Sequence, residues 1–503
     1  MSHASEQFGS QSPATLRLPE TIEDEGLLVG WSLETRRAQR PIGFNFGGTA
    51  DAAGRAAAAI LLEGEGHLIT IAPTGAGKGV GCVVPALLRH RGPAIVIDPK
   101  GENAAITARR RREMGQKVVV LDPMGITGFH GDALNPLDLI DPYSATAVDE
   151  AHVIIDQLLA FSDSDRDRFW QGRARQLLVG VLFHLLTDLP RSEHSLTAFR
   201  GLVNGAAGDA SELIRALEAS HHPEARATGR LFAINANETV GGIVAFAQEA
   251  TDFMRGPAQQ AATARSSIDF DAVTLGEPLT IYIVMPPHML ITHGRLLRLW
   301  VGALMTAIMR RRSRPALSTL FVLDEAAQLG SFNELRQAVT LLRGYGLQTW
   351  SFWQDASQLQ HLYPHDWQTM INNSKVVQCF GANTLLAARS MADLVGHPDP
   401  LGVLQLPPDE MLLQVAGDEA VVAKLPNYRT DPAFGALFDT NPYHDPGTDA
   451  LGLPRTPLFE YIRPPRSSPR PAFGASPFSD PPLASHQMMA RRILDAIGGA
   501  KGA

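Results

Sequence analysis

His67-Leu68-Ile69-Thr70-Ile71-Ala72-Pro73-Thr74-Gly75-Ala76-Gly77-Lys78-Gly79-Val80 is the stretch on which the fold turns. His67 to Ile71 reads as a short buried strand, and a helix is expected through Val83–His90. Between them lies a glycine-rich turn, the place a phosphate loop occupies. Small residues there let successive backbone N–H groups curl around phosphate oxygens, and the helix N-terminus adds partial positive charge. Pro73, Thr74, Gly75, Ala76, Gly77, Lys78, Gly79 and Val80 are the candidate nucleotide-binding residues. Lys78 is the cation expected to reach the β- and γ-phosphates. Two positions depart from the usual pattern. Ala72 stands where a first glycine is common, and Gly79 stands where a Ser or Thr hydroxyl normally meets Mg²⁺. A glycine-rich turn with a solvent-facing lysine would share this composition, so a second signal is needed.

Leu320-Phe321-Val322-Leu323-Asp324-Glu325 supplies it. Four apolar residues running into two acids form a buried strand that ends in carboxylates. Asp324 is the candidate metal-orienting acid, and Glu325 is the candidate that polarises the attacking water. ATP and Mg²⁺ are the expected ligands. Ile95-Val96-Ile97-Asp98 offers a rival acid, without an adjacent glutamate. On the strand expected at Leu347–Phe352, alternation puts Gln348, Trp350, Phe352 and Gln354 on one face. Gln354 falls at its end, where an amide could sense a phosphate or a water, or simply terminate the strand.

Outward from these segments the chain alternates strand and helix. Ala94–Ile97, Lys117–Leu121, Leu279–Met285, Thr319–Leu323, Leu347–Phe352 and Val376–Phe380 read as strands, with a helix at Arg295–Arg311. Such alternation implies βαβ units and a parallel sheet. From about Ala145 to Gln260 the period is helical, as in Phe169–Leu186, Leu196–Val203 and Ser211–Ser220. Gly26–Arg55 reads as an irregular β-rich lead-in. The first 25 residues are polar and expected to be disordered. About a third of the 35 prolines follow Thr430, which predicts an extended tail with one short helix at His486–Ile497.

Composition bounds the function. With 503 residues, 45% hydrophobic and 19% charged, the chain can bury a large core of more than one domain. Two cysteines exclude a disulfide framework and suit a reducing compartment; Cys82 reads as a small buried hydrophobe. The N-terminus lacks a signal peptide's basic and apolar regions. No apolar run approaches the 18 or more residues needed to cross a bilayer; the longest, Ala56–Leu62 and Leu177–Leu186, read as core helices. A net charge of −8 argues against a protein that coats DNA with a basic face, though a pore needs only a local ring of cations. Arg109–Arg112 and Arg310–Arg314 each close an expected helix. They are either solvated helix ends that suit the dipole or phosphate contacts. Trp350 and Trp353, in so apolar a strand, read as core. The histidines and cysteines show no metal-ligand spacing.

Taken together, these segments resemble the type IV coupling proteins, the ATPases of conjugation and type IV secretion. The resemblance runs from about Gly66 to Phe438. It rests on Ala72–Gly81, Asp98-Pro99-Lys100-Gly101-Glu102, Asn135-Pro136-Leu137-Asp138, Phe169-Trp170 with Ala174 and Leu177, Leu323-Asp324-Glu325, Gly344-Tyr345-Gly346, and Gln354-Asp355 with Gln358-Leu359. In that family a glycine after the P-loop lysine is frequent. The resemblance implies that Gln354 is a sensor. It also implies that Arg343 is inserted into a neighbouring subunit's site, a role suited to a planar guanidinium.

The expectation is therefore an α/β fold: a RecA-like P-loop NTPase sheet (26–140 and 265–438) with an inserted all-helical domain (141–264) and a Pro-rich tail (439–503). The implied activity is an ATP-driven motor, hexameric when assembled, that delivers single-stranded DNA without sequence preference, or a relaxase–DNA complex, to type IV secretion channel components. Family members usually carry N-terminal transmembrane helices, and this sequence shows none. A cytoplasmic protein, peripheral at the inner membrane through a partner, is expected. Two alternatives stand beside it: a DNA-processing or defence translocase unrelated to secretion, and a nucleotide-gated docking protein for protein substrates.

Overall fold

Alternating β-branched and aromatic residues, flanked by turn formers, assemble eleven strands into one sheet in the computed structural model, which describes residues 18–33, 57–159, 165–206, 209–234 and 237–443. The strands are β1 (Leu27–Ser32), β2 (Ala59–Leu62), β3 (His67–Ile71), β4 (Ala94–Ile97), β5 (Lys117–Leu121), β6 (Leu279–Ile283), β7 (Thr319–Leu323), β8 (Leu347–Trp353), β9 (Ser374–Cys379), β10 (Glu410–Val415) and β11 (Val421–Lys424). Their order is β2-β1-β11-β10-β9-β3-β8-β7-β4-β6-β5. From β9 to β5 all neighbours are parallel, and from β9 to β2 all are antiparallel.

The parallel strands β3, β4, β6, β7 and β8 are buried along their whole length, as strands covered on both faces must be. Alternation divides their side chains between two clusters. Ile69, Ile95, Ile97, Ile281, Phe321 and Leu323 face one layer. Leu68, Val96, Tyr282, Val322, Trp350 and Phe352 face the layer that contains Cys82, Val83 and Leu87 of the helix after the glycine-rich turn. Trp350 and Trp353 are both fully buried.

Between β5 and β6 no strand occurs among the described residues. The segment is built of helices, including Asp165–Asp188, Leu196–Gly205, Ser211–Ala219, Pro223–Ala233 and Asn237–Thr251. Leu182, Phe183, Phe199 and Phe232 of these helices belong to the same buried cluster as Ile95 and Leu323. The helical segment and the sheet thus share one core. Helix Leu290–Met309 bridges them, and its Trp300 Nε1 donates to the Leu134 carbonyl at 2.8 Å.

Three expectations need correction. Ala56–Leu62, read as a core helix, contains the edge strand β2, paired with β1 across an irregularity between Leu28 and Gly30. An apolar run this short carries no usable periodicity, and the partner strand decided its form. The N-terminal 25 residues are not all unanchored. Leu18 and Ile22 pack against the cluster around Tyr428 and Phe434, and Arg89 donates to the carbonyls of Ile22 and Asp24. The arginine clusters are mostly structural. Arg111 is fully buried and donates to the carbonyls of Leu87, His90 and Gly92 and to Thr280 Oγ1. Arg311 binds the carbonyls of Val273, Thr274, Tyr345 and Gly346 and Thr319 Oγ1. Arg310 pairs with Glu150 at 2.5 Å, Arg314 with Glu65 at 3.0 Å, and Arg109 with Glu113 and Asp439. The tail beyond Tyr443, with the expected helix His486–Ile497, lies outside the described residues.

A buried polar chain ties the parallel sheet to its antiparallel extension. Trp350 Nε1 donates to Thr70 Oγ1 (2.8 Å), Thr70 donates to Gln378 Oε1 (2.7 Å), and Gln378 Nε2 donates to the Val29 carbonyl (2.8 Å). Gln378→Leu keeps the volume but removes the acceptor of the buried Thr70 hydroxyl proton and the side-chain donor to the Val29 carbonyl. It should lower stability by roughly 2 to 4 kcal/mol, seen as a lower midpoint of chemical denaturation.

Candidate active site

The glycine-rich turn occupies the C-terminal end of β3, where open α/β sheets bind ligands. Gly75 and Gly77 have φ of +81° and +94°, the left-handed region in which a Cβ is strained. No atom lies within 4 Å of where a Cβ would stand on Gly79. A serine or threonine would fit there, so the missing hydroxyl is a difference of chemistry and not of space. Helical structure starts directly after Lys78 with a π turn, Gly79–Val83. The N-terminus of this helix therefore brings partial positive charge to the end of β3.

Sheet order brings the remaining groups to this loop. β8 lies between β3 and β7, which sets Gln354, just beyond β8, between the loop and the acids that follow β7. Lys78 Nζ donates to the Ala72 carbonyl at 3.0 Å and lies 3.6 Å from Glu325 Oε1. Gln354 Nε2 donates to Glu325 Oε2 at 2.9 Å, and the Gln354 N–H is held by Gln358 Oε1 at 3.0 Å. Glu325 itself has φ +60°, uncommon outside glycine and costing about 1 to 3 kcal/mol. The strained backbone turns its carboxylate toward Lys78. Asp324 is beside it. Burial, with the Glu325 charge adding, pushes the Asp324 carboxyl up to about 6.

Asp98 takes a different part. Its two oxygens accept from Asn103 Nδ2 (3.3 Å) and the Ala104 N–H (2.8 Å), capping helix Glu102–Glu113. Burial, with Asp324 and Glu102 adding charge, raises this carboxyl to about 7. Arg343 is not brought to Lys78. It is exposed before β8, where its charge acts on His67 at the start of β3. The length of β8 puts it roughly 20 Å from Gln354.

Gly381, just after β9, was not singled out from the sequence. Its φ is +74°, and a Cβ would stand 2.6 Å from Ala76 Cβ. It lets the β9 turn close against the phosphate loop. A glycine directly after a buried strand was the available signal. Gly81 is similarly constrained, since a Cβ would lie 3.0 Å from the Pro426 carbonyl oxygen.

The sequence profile described as "Type IV secretory system Conjugative DNA transfer" matches residues 21–397. The chain belongs to this family. It is 26% identical over 357 residues to the conjugal transfer protein TraG of Escherichia coli, covering 66% of this chain and 55% of that protein. It is 26% identical over 306 residues to the type IV secretion system-coupling protein VirD4 of Bartonella quintana, covering 59% and 47%. The chain thus spans about half the length of these curated relatives. Among solved structures, the bacterial conjugative coupling protein TrwBdeltaN70 with sulphate superposes with a TM-score of 0.57 at 17% identity, covering 73% of this chain and 88% of that one. Plasmid coupling protein TrwB in complex with ADP and Mg²⁺ gives 0.56 at 18%, covering 73% and 87%. These likenesses show the fold, a RecA-like α/β sheet. Among the described residues no helix is long and apolar enough to cross a membrane.

Two outcomes follow from the geometry. Gly381→Ala should displace Ala76 and weaken nucleotide binding by about tenfold or more, measured by titration with a fluorescent nucleotide. Asp324→Asn removes a disfavoured charge. It should raise the thermal midpoint at pH 8 by a few degrees, roughly 1 °C for each kcal/mol in a chain of this size, in a melt without nucleotide.

Proposed function

We propose that this chain is an ATP-hydrolysing coupling-protein motor that recruits DNA, or a relaxase–DNA complex, and moves it to a type IV secretion or conjugation channel. The observation that carries the reading is the contact of Lys78, Glu325 and Gln354 above the phosphate loop. Family membership supplies the context. The Lys78 ammonium lies against Glu325 and donates to the Ala72 carbonyl. A bound triphosphate draws Lys78 onto its oxygens and frees Glu325 to accept a proton from the attacking water. Gln354 holds the Glu325 carboxylate in place and reports the state of the γ-phosphate.

The residues fit a magnesium ion. Asp324 carries a carboxyl that burial and Glu325 make costly to ionise, which a cation relieves. A site with a single protein carboxylate, completed by phosphate oxygens and water, suits Mg²⁺. Gly79 offers no oxygen from its side chain, leaving more of the shell to water. When bound, the ion neutralises charge on the phosphates. Arg343, remote from the site of its own chain, serves the site of a neighbouring subunit in a hexamer. Residues 141–264 select cargo, and the motor works in the cytoplasm at the inner membrane through a partner.

A second reading, nucleotide-gated docking of protein substrates, is favoured by one observation. Most of the clustered arginines that could have gripped DNA are engaged within the fold.

Substitution tests the motor. Glu325→Gln should bind ATP normally and lose about 100-fold or more of turnover, whereas Lys78→Ala should lose binding and turnover together. Undiminished hydrolysis in either variant contradicts the assignment.

A further inference from the structure

In the proposed ATP site, the contact of Lys78 with Glu325 sets the direction of the triphosphate. Its γ end faces β8 and β7, where Gln354 and Glu325 stand. Its nucleoside end leaves on the other flank of β3, toward β9, β10 and β11. On that flank β11 ends at Lys424, and the chain runs directly across the start of the P-loop helix. The Tyr428 N–H donates to the Val80 carbonyl at 3.4 Å. The Pro426 carbonyl and the Leu425 side chain press on Gly81, so closely that a Cβ there would lie 3.0 and 3.2 Å from them.

This strap is firmly held. Asp431 is buried and accepts from Trp31 Nε1 and from the Asn427 N–H, each at 2.8 Å. Asn427 Oδ1 in turn accepts from the Arg429 N–H at 3.0 Å. The buried Tyr428 ring packs edge-on against Phe438 with centroids 4.8 Å apart. Over that ring, 5.6 Å from its centroid, lies the half-buried Arg429 guanidinium, whose Nε donates to the Tyr428 hydroxyl at 3.3 Å. Arg429 therefore sits on an ordered turn whose preceding residue, Tyr428, is hydrogen-bonded to Val80 at the end of the phosphate loop.

We infer that the strap Leu425–Arg429 forms the nucleoside side of the ATP site, with the Arg429 guanidinium stacking on the base. A guanidinium plane is suited to a π face, and its order on Tyr428 lowers the entropy lost on binding. The inference rests on the ATP site proposed above and adds to it the residues that hold the part of ATP lying outside the phosphate loop.

The test separates base from phosphates by comparing ATP with inorganic tripolyphosphate as a competitor of a fluorescent nucleotide. Arg429→Ala should weaken ATP binding roughly three- to tenfold and leave tripolyphosphate within about twofold of wild type. Arg429→Lys keeps the charge and loses the plane, and should remain weakened toward ATP. Thermal melts of both variants report folding. Parallel weakening of the two ligands, or ATP binding unchanged in Arg429→Ala, overturns the inference. If wild type binds neither ligand, the ATP site itself is refuted, a result distinct from a defect confined to Arg429 variants.

Discussion

The Glu325 carboxylate, held between the Lys78 ammonium and the Gln354 amide, is the contact on which the site depends. It joins three strands that are far apart in sequence. β3 carries the phosphate loop, β7 the acids, and β8, lying between them, the amide. Lys78 is buried and Glu325 largely so, and a pair withdrawn from water gains only where its geometry is good and its other lone pairs are satisfied. The glutamine and the strained backbone of Glu325 give the contact its geometry. The sheet's order thus matters more than any one residue type, because another order would leave the same side chains too far apart to meet.

Stability is concentrated where the sheet must not slip. The Trp350–Thr70–Gln378–Val29 chain of hydrogen bonds crosses from the parallel strands into the antiparallel ones. Unmade buried hydrogen bonds are costly, so such a chain specifies one register. Arg111 and Arg311 do comparable work at the opposite end of the sheet, each satisfying several carbonyls where helices end and strands begin. Both guanidiniums are lowered to about 10 by burial, still well above neutrality, so they remain charged.

Local features were legible in the sequence. The phosphate loop, the acids after β7 and the six parallel strands expected beside them are each encoded within a few residues of one another; alternation put Gln354 at the end of its strand, while a sensor role came only from the resemblance. Features that depend on distant partners were not. β10 and β11 exist because they continue the sheet from β9, and β1 pairs with β11 nearly 400 positions away. Ala59–Leu62 took its form from β1. Gly381 acquires its role from a loop three hundred residues earlier. The arginine runs looked alike on paper, yet within each some side chains point inward to carbonyls, a direction that only the packing of the helix decides. Arg343 is a further case: it lies exposed before β8 and away from Lys78, and nothing local in its sequence tells it from a surface cation.

In the proposed motor, ATP turnover drives the movement of DNA. The most direct measurement is the steady-state ATPase rate of the wild-type chain with and without single-stranded DNA, at low and at physiological salt. A motor of this kind should show strong stimulation that does not depend on base sequence and falls as salt rises. Turnover indifferent to DNA at both salt concentrations would contradict the claim and favour the docking of protein substrates.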